Sequence, residues 1–257
     1  MKSVLVIDRG NSTLKAYLFQ GYDCVRSARF EEDDDIAAGI STFLGDETPA
    51  SAIYASTGCR TEGDIETISG LPGCRTLIFD RATPLPIAID YATPDTLGLD
   101  RIASAVAACA LLDTLPGLDF LLVVDAGTAV TLDIAAREGG FRGGNISAGL
   151  SMRLHALHDF TSALPLTDVH GDCPDFGFDT RSALRSGAIL GIAAEIESSF
   201  QRADRKFGKG AILLTGGDAA ILAPHLDPSL RVITNPALVA DGLNRILHYN
   251  ETIHKAI

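Results

Sequence analysis

The chain is 257 residues long, 46% hydrophobic and 21% charged, with a formal charge of -12. That length supplies one large or two small complete cores, and the composition is that of an α/β protein rather than a disordered, collagen-like or membrane chain. No apolar run approaches the ~18–20 residues of a bilayer span, the start MKSVLVIDRG lacks a signal-peptide pattern, and the acidic balance disfavours nucleic acid. The expectation is a cytoplasmic protein with neither a membrane nor a nucleic-acid partner.

The chain opens with VLVIDRGNSTLK, an apolar run ending in a carboxylate, a glycine and small polar residues. Residues 4–7 read as a strand buried on both faces. Leu14, Ala16 and Leu18 then alternate with Lys15, Tyr17 and Phe19, a second strand joined to the first by Asp8 to Ser12. A third strand is expected at 24–30, after a turn at Gly21. The acidic residues 31–35 read as a solvated turn leading into a helix at 36–44, where carboxylates suit the positive end of the dipole. The five cysteines, Cys24, Cys59, Cys74, Cys109 and Cys173, are odd in number and form no CxxC pair, so they read as buried free thiols.

An apolar helix is expected at 102–112, followed by Leu115-Pro116-Gly117 as a boundary between halves 1–116 and 117–257. The opening pattern then returns as FLLVVDAGTAVTLDIAA at 120–136, with Asp125 in the place of Asp8, Gly127 in that of Gly10 and Thr128 in that of Asn11. A strand at 141–146, a helix at 181–200, a strand at 211–214 and a final helix at 236–249 complete the second half. The two halves are similar α/β units facing across a cleft.

A glycine in such a turn admits backbone conformations closed to other residues and lets a ligand approach, while adjacent amides form an anion site. Asn11, Ser12 and Thr128 add donors, and Asp8 and Asp125 stand where a cation offsetting phosphate charge would bind. One DxG is equally an ordinary turn; two at equivalent places favour the phosphate reading. The next segment is a strand and not a helix, which argues against a Rossmann fingerprint, and no Walker sequence is present. At LLTGGDA, the pair Gly216-Gly217 ends a strand before a helix and is a candidate seat for adenosine.

Asp8-x-Gly10-Asn11-Ser12, Gly98-Leu99-Asp100-Arg101, Asp125-Ala126-Gly127-Thr128-Ala129 and Gly143-Gly144-Asn145-Ile146, in that order, resemble the type III pantothenate kinases. The resemblance implies two ribonuclease-H-like halves of the actin-like ATPase fold around a nucleotide cleft. It implies phosphorylation of pantothenate by ATP, the first step toward coenzyme A, with Mg2+, with K+ or NH4+, and in a homodimer. Carried onto this sequence, Asp8, Arg9, Gly10, Asn11, Ser12, Thr13, Leu14 and Lys15 match the ATP-phosphate hairpin and Thr128 a second phosphate contact. Asp125 matches the monovalent-cation ligand, and Asp8 is assigned to Mg2+, directly or through water. Tyr91, Gly98, Leu99, Asp100, Arg101 and Thr180 match pantothenate contacts. Ser12 replaces a common Thr and keeps its hydroxyl; Ala148 replaces a Pro often found before Gly149.

Asp100 is the candidate acceptor of the substrate hydroxyl proton, although an Asp before a helix is also an ordinary cap. Arg101 is a candidate donor to substrate or a surface ion pair, and Tyr91 a substrate wall or a packing residue. His155 and His158 have a metal-compatible spacing but no third ligand. A kinase for another small acceptor and a noncatalytic nucleotide-binding regulator are the alternatives.

Overall fold

The computed structural model describes residues 3–10, 13–31, 34–57 and 62–255. They form two compact units, Met1–Ala107 with Ala237–Ile257, and Ala108–Pro236. Each holds a five-stranded sheet.

In the first unit β1 (Ser3–Arg9), β2 (Thr13–Gln20) and β3 (Asp23–Glu31) form an antiparallel meander. After α1 (Ile36–Leu44), β4 (Ser51–Ser56) adds parallel to the free side of β1, and after α2 (Glu62–Ser69), β5 (Arg75–Ile78) adds parallel to β4. The order is β3-β2-β1-β4-β5. Central β1 is buried from Ser3 to Ile7, which explains its unbroken apolar run. Edge strand β3 is largely exposed and carries Arg26, Arg29 and Glu31, charges that discourage further pairing. Leu5, Ile7, Leu14, Ala16, Leu18 and Tyr54 form one core with Ile40 and Phe43 of α1 and Ile68 of α2. The Asp35 carboxylate accepts from Ala38 N–H at 3.0 Å and caps α1, the role expected for the acidic run. α3 (Leu99–Asp113) follows an irregular segment.

The second unit repeats the plan. Antiparallel β6 (Phe120–Ala126), β7 (Ala129–Ala136) and β8 (Gly140–Ala148) lead into α4 (Leu150–Asp159) and α5 (Thr180–Phe207). Then β9 (Gly210–Thr215) joins β6 in parallel, and α6 (Ala219–Leu222) precedes β10 (Val232–Thr234), parallel to β9. The order β8-β7-β6-β9-β10 matches the first sheet strand for strand. Leu122, Val124, Leu132, Ile212 and Leu214 pack with Leu154 of α4 and Ile189, Ile192 and Ile196 of α5. An Asp179–Ser182 capping box starts α5.

The contact division differs from the expected boundary at 116/117 in two ways. The turn at 115–117 is no linker: the Arg137 guanidinium, at the end of β7, donates to the carbonyls of Leu112 at 2.7 Å and Leu118 at 3.1 Å. The last helix, α7 (Leu238–Lys255), lies with the first unit. Its Asn244 and Asn250 donate to the carbonyls of Gly21 and Pro84, each at 2.9 Å, and Gly242 sits against the Ala103 backbone with no room for a Cβ.

The thiols also differ from expectation: Cys24 is exposed on edge strand β3, Cys74, Cys109 and Cys173 are half-buried, and Cys59 lies outside the described residues. No described helix is long and apolar enough to cross a membrane.

Candidate active site

In the first unit the turn after β1 is closed by the Gly10 N–H donating to the Thr13 carbonyl at 2.9 Å. Asn11 and Ser12, both expected to bind phosphate, lie outside the described residues. Asp8 and Lys15 are direct cross-strand partners, so their side chains share one face of the sheet. Burial pushes the Asp8 carboxyl up to about 6; the Lys15 ammonium opposes that rise and the Asp100 carboxylate adds to it.

Successive side chains alternate, so Arg9 and Leu14 turn away from that face. Leu14 is fully buried in the core and offers a ligand only its backbone. The Arg9 guanidinium lies 3.7 Å from the Asp64 carboxylate, which also accepts from the Tyr54 hydroxyl at 3.3 Å. The expected phosphate contacts of Arg9 and Leu14 are thereby limited to backbone, while Thr13 and Lys15 remain half-buried on the hairpin.

Asp100 stands in the first turn of α3, and one of its oxygens accepts from the Arg101 N–H at 2.9 Å. A Cβ on Gly98 would collide with that same oxygen, so only glycine leaves this carboxylate its place. Arg101 is 7% exposed and is therefore not a surface residue, and its guanidinium lies 5.9 Å from the centre of the Tyr91 ring. Gly98, Asp100, Arg101 and Tyr91 are therefore one cluster. Leu99 is buried and contributes backbone alone.

In the second unit, half-buried Asp125 is the penultimate residue of β6 and Thr128 is exposed at the tip of the second turn. The Gly127 N–H closes this turn on the Ala129 carbonyl at 3.1 Å. Neither Gly10 nor Gly127 has a positive φ, and a Cβ on either would stand 3.5 Å from the nearest backbone oxygen, an ordinary contact. Backbone conformation does not demand these two glycines, contrary to expectation; they simply keep the turns free of side chains.

The glycines that geometry does demand were missed or given another reason. Gly149, at the N-cap of α4, donates to the Thr128 carbonyl at 3.1 Å, and a Cβ there would strike the Gly127 and Thr128 backbone. Gly216 has φ +94° and its α-carbon faces the Ala126 backbone with no space for a side chain. Asp218 N–H donates to the Ala126 carbonyl at 2.9 Å, binding the Gly216-Gly217 turn to the end of β6. Thr180 is exposed at the first position of α5.

Among the described residues no group of three or more His, Cys, Asp or Glu could hold a metal ion. His158 instead contacts the Leu164 carbonyl at 2.8 Å. Mg2+ commonly takes one or two carboxylates and completes its shell with water and phosphate oxygens. The mutual repulsion of Asp8 and Asp100 fits such an ion.

Two sheets of the same 3-2-1-4-5 topology, each with a DxG turn after its central strand, define an actin-like ATPase and sugar-kinase type of fold. A Baf-family protein of Campylobacter jejuni, classed with transcriptional activators, superposes with a TM-score of 0.60 at 21% identity, covering 96% of this chain and 99% of that one. A ROK-family glucokinase of Streptomyces griseus, in complex with glucose and AMPPNP, gives 0.54 at 10% identity over 97% and 99%. The family model for type III pantothenate kinase matches residues 4–202. Proteins named type III pantothenate kinase from Azobacteroides pseudotrichonymphae and Bacteroides fragilis are 37% and 38% identical, covering 98% and 96% of this chain and 99% and 98% of their own lengths. The chain belongs to the type III pantothenate kinase family.

Proposed function

We propose that this protein transfers the γ-phosphoryl group of ATP to the hydroxyl of pantothenate, giving 4′-phosphopantothenate and ADP at the start of coenzyme A synthesis in the cytoplasm. The observation that carries the reading is the repeated turn: one polar DxG turn after the central strand of each of two sheets alike in topology, in a chain of this family. The ATP-phosphate contacts are Asp8 to Lys15 in 1–116 and Thr128 in 117–257, with adenosine at Gly216-Gly217.

Pantothenate lies at Tyr91, Gly98, Asp100 and Arg101. Its hydroxyl oxygen forms the new bond to phosphorus as the bond to the ADP oxygen breaks, and the hydroxyl proton passes to Asp100. A carboxylate can accept that proton when it moves late in a loose transition state. Buried Arg101 supplies a fixed positive charge beside the acceptor. Mg2+ at Asp8 would neutralise phosphate charge, and K+ or NH4+ would be held at Asp125, whose carboxylate is a hard oxygen donor.

The active species is a homodimer. Phe160, Phe176 and Phe178 are 88%, 90% and 74% exposed in the second unit, apolar side chains that a second copy would cover. Thr180 lies two residues after Phe178 at the start of α5, so a pantothenate contact at Thr180 is compatible with a site completed at the dimer interface.

The test is ADP release with ATP, Mg2+ and pantothenate, with Na+ replacing K+ in parallel and Asp100→Asn as control. Release that depends on pantothenate, K+ and Asp100 supports the reading. Folded, ATP-binding protein giving no pantothenate-dependent release would reject it in favour of another acceptor or a regulatory role.

A further inference from the structure

The turn at Gly127 and Thr128 is closed within the β6–β7 hairpin by the Gly127 N–H on the Ala129 carbonyl, but its tip has no anchoring side chain of its own, since Gly127 has none and that of Thr128 is exposed. It rests on Gly149, through the N–H bond to the Thr128 carbonyl and a backbone approach that excludes any Cβ. Gly149 in turn joins the end of β8 to the start of α4 and has no side chain to cap the helix. Whatever fixes that junction fixes the turn.

Besides the pairing of Ala148 with Ala129 in the β7–β8 ladder, one side chain ties this junction to the helices. Arg153, on α4, donates from Nε to the Ala148 carbonyl at 2.8 Å and from Nη2 to Ser147 Oγ at 3.0 Å. The same Nη2 donates to Glu195 Oε2 on α5 at 2.7 Å, and the Arg153 N–H donates to the Gly149 carbonyl at 2.9 Å. On α5, Gly191 makes room for the guanidinium: a Cβ there would stand 3.2 Å from Arg153 Nη1. Ile192 and Ile196, beside Glu195, are anchored in the core. The line of force therefore runs from the core through α5, Glu195, Arg153 and Ala148 to Gly149 and Thr128. A planar guanidinium holds several acceptors at fixed angles, which a lysine cannot reproduce.

We infer that Arg153, braced by Glu195, is a positioning residue that sets the phosphate turn of Gly127 and Thr128 for ATP. The inference rests on the reading of that turn as an ATP-phosphate site. Ser147 and Glu195 also line an open groove of about 450 Å³ with Asn145, Ser198 and Arg202, so the Glu195 carboxylate reaches solvent when Arg153 is removed.

The experiment compares Arg153→Met, Arg153→Lys, Glu195→Gln and Thr128→Ala in the full chain, measuring KM for ATP and for pantothenate separately, together with thermal midpoints. Arg153→Met is expected to raise the ATP KM about tenfold or more and leave the pantothenate KM within about twofold; Arg153→Lys should recover part of the loss, and Glu195→Gln should raise the ATP KM about threefold. An unchanged ATP KM in Arg153→Met, with Thr128→Ala impaired, overturns the positioning role and spares the phosphate reading. Equal increases in both KM values without rescue by Lys mark a merely structural residue and also overturn it. An unaltered ATP KM in Thr128→Ala removes the phosphate reading and the inference with it. Should Arg153→Met fold poorly, Glu195→Gln decides between the same outcomes.

Discussion

The Asp100 carboxylate occupies the space that a Cβ on Gly98 would take, and from there its charge raises the proton affinity of Asp8. Glycine at position 98 thus places an acid in the first turn of α3 beside a second acid at the end of β1. Gly98→Ala should displace that carboxylate while leaving the start of the helix intact. The expected result is a loss of turnover of about tenfold or more at saturating substrates, and about 10²–10⁴-fold for Asp100→Asn, with circular dichroism unchanged. Near-normal kcat in Asp100→Asn would reject its role as proton acceptor.

The Asp8 carboxyl, raised to about 6 in the protein without cation or nucleotide, is protonated more readily when folded than when unfolded. Folded protein then binds more protons between pH ~4 and ~6, so this group's effect on stability becomes unfavourable as pH rises through that window. Asp8→Asn should raise the thermal midpoint of the ligand-free protein at pH 7.5, by an equivalent of about 1–3 kcal/mol, and abolish turnover. A lower midpoint in Asp8→Asn at that pH would contradict the assigned burial and repulsion.

Gly149→Ala and Gly217→Ala make a matched pair. The first drives a methyl into the Gly127–Thr128 backbone, whereas a Cβ on exposed Gly217 meets nothing within 4 Å. Denaturant unfolding should show a loss of about 1–3 kcal/mol for Gly149→Ala and less than about 0.5 kcal/mol for Gly217→Ala. Calorimetry should show weakened ATP binding only for the former if Gly217 contacts adenosine through backbone.

Replacing K+ with Na+ should lower the turnover of the native protein, and Asp125→Ala should remove the difference between the two salts. Potassium activation that survives in Asp125→Ala would place the cation elsewhere.

Phe176→Ser combined with Phe178→Ser should shift the protein from dimer to monomer in analytical ultracentrifugation and raise the pantothenate KM, with ATP binding intact. A dimer of unchanged stability would remove these two rings from the interface.

Much of the fold was legible in the chain because burial writes itself as period. The run at 4–7 and the alternation of Leu14, Ala16 and Leu18 correspond to β1 and β2, and α1 has the expected bounds at Ile36–Leu44. β4 carried little signal, since SAIYAS is only six residues long with serine at both ends, although every one of those residues is buried. β10, at three residues, is shorter still.

Local pattern and residue chemistry are enough to read the repeated strand, DxG turn and strand, the polar residues at both turns and the carboxylate at Asp100 from the chain alone. Which side chains turn away from the turns, and what holds the turns in place, follows from tertiary contacts. Alternation turns Arg9 toward Asp64 and Leu14 into the core, although both sit in the proposed phosphate motif. Gly149 and Gly216 are required by backbones distant in sequence, and Arg153 gains its role by meeting Ala148 and Glu195 at once. The last helix lies with the first unit because Gly242 and Asn244 fit Ala103 and Gly21. Such contacts join residues far apart along the chain, and shape complementarity between them leaves no period for a sequence to display.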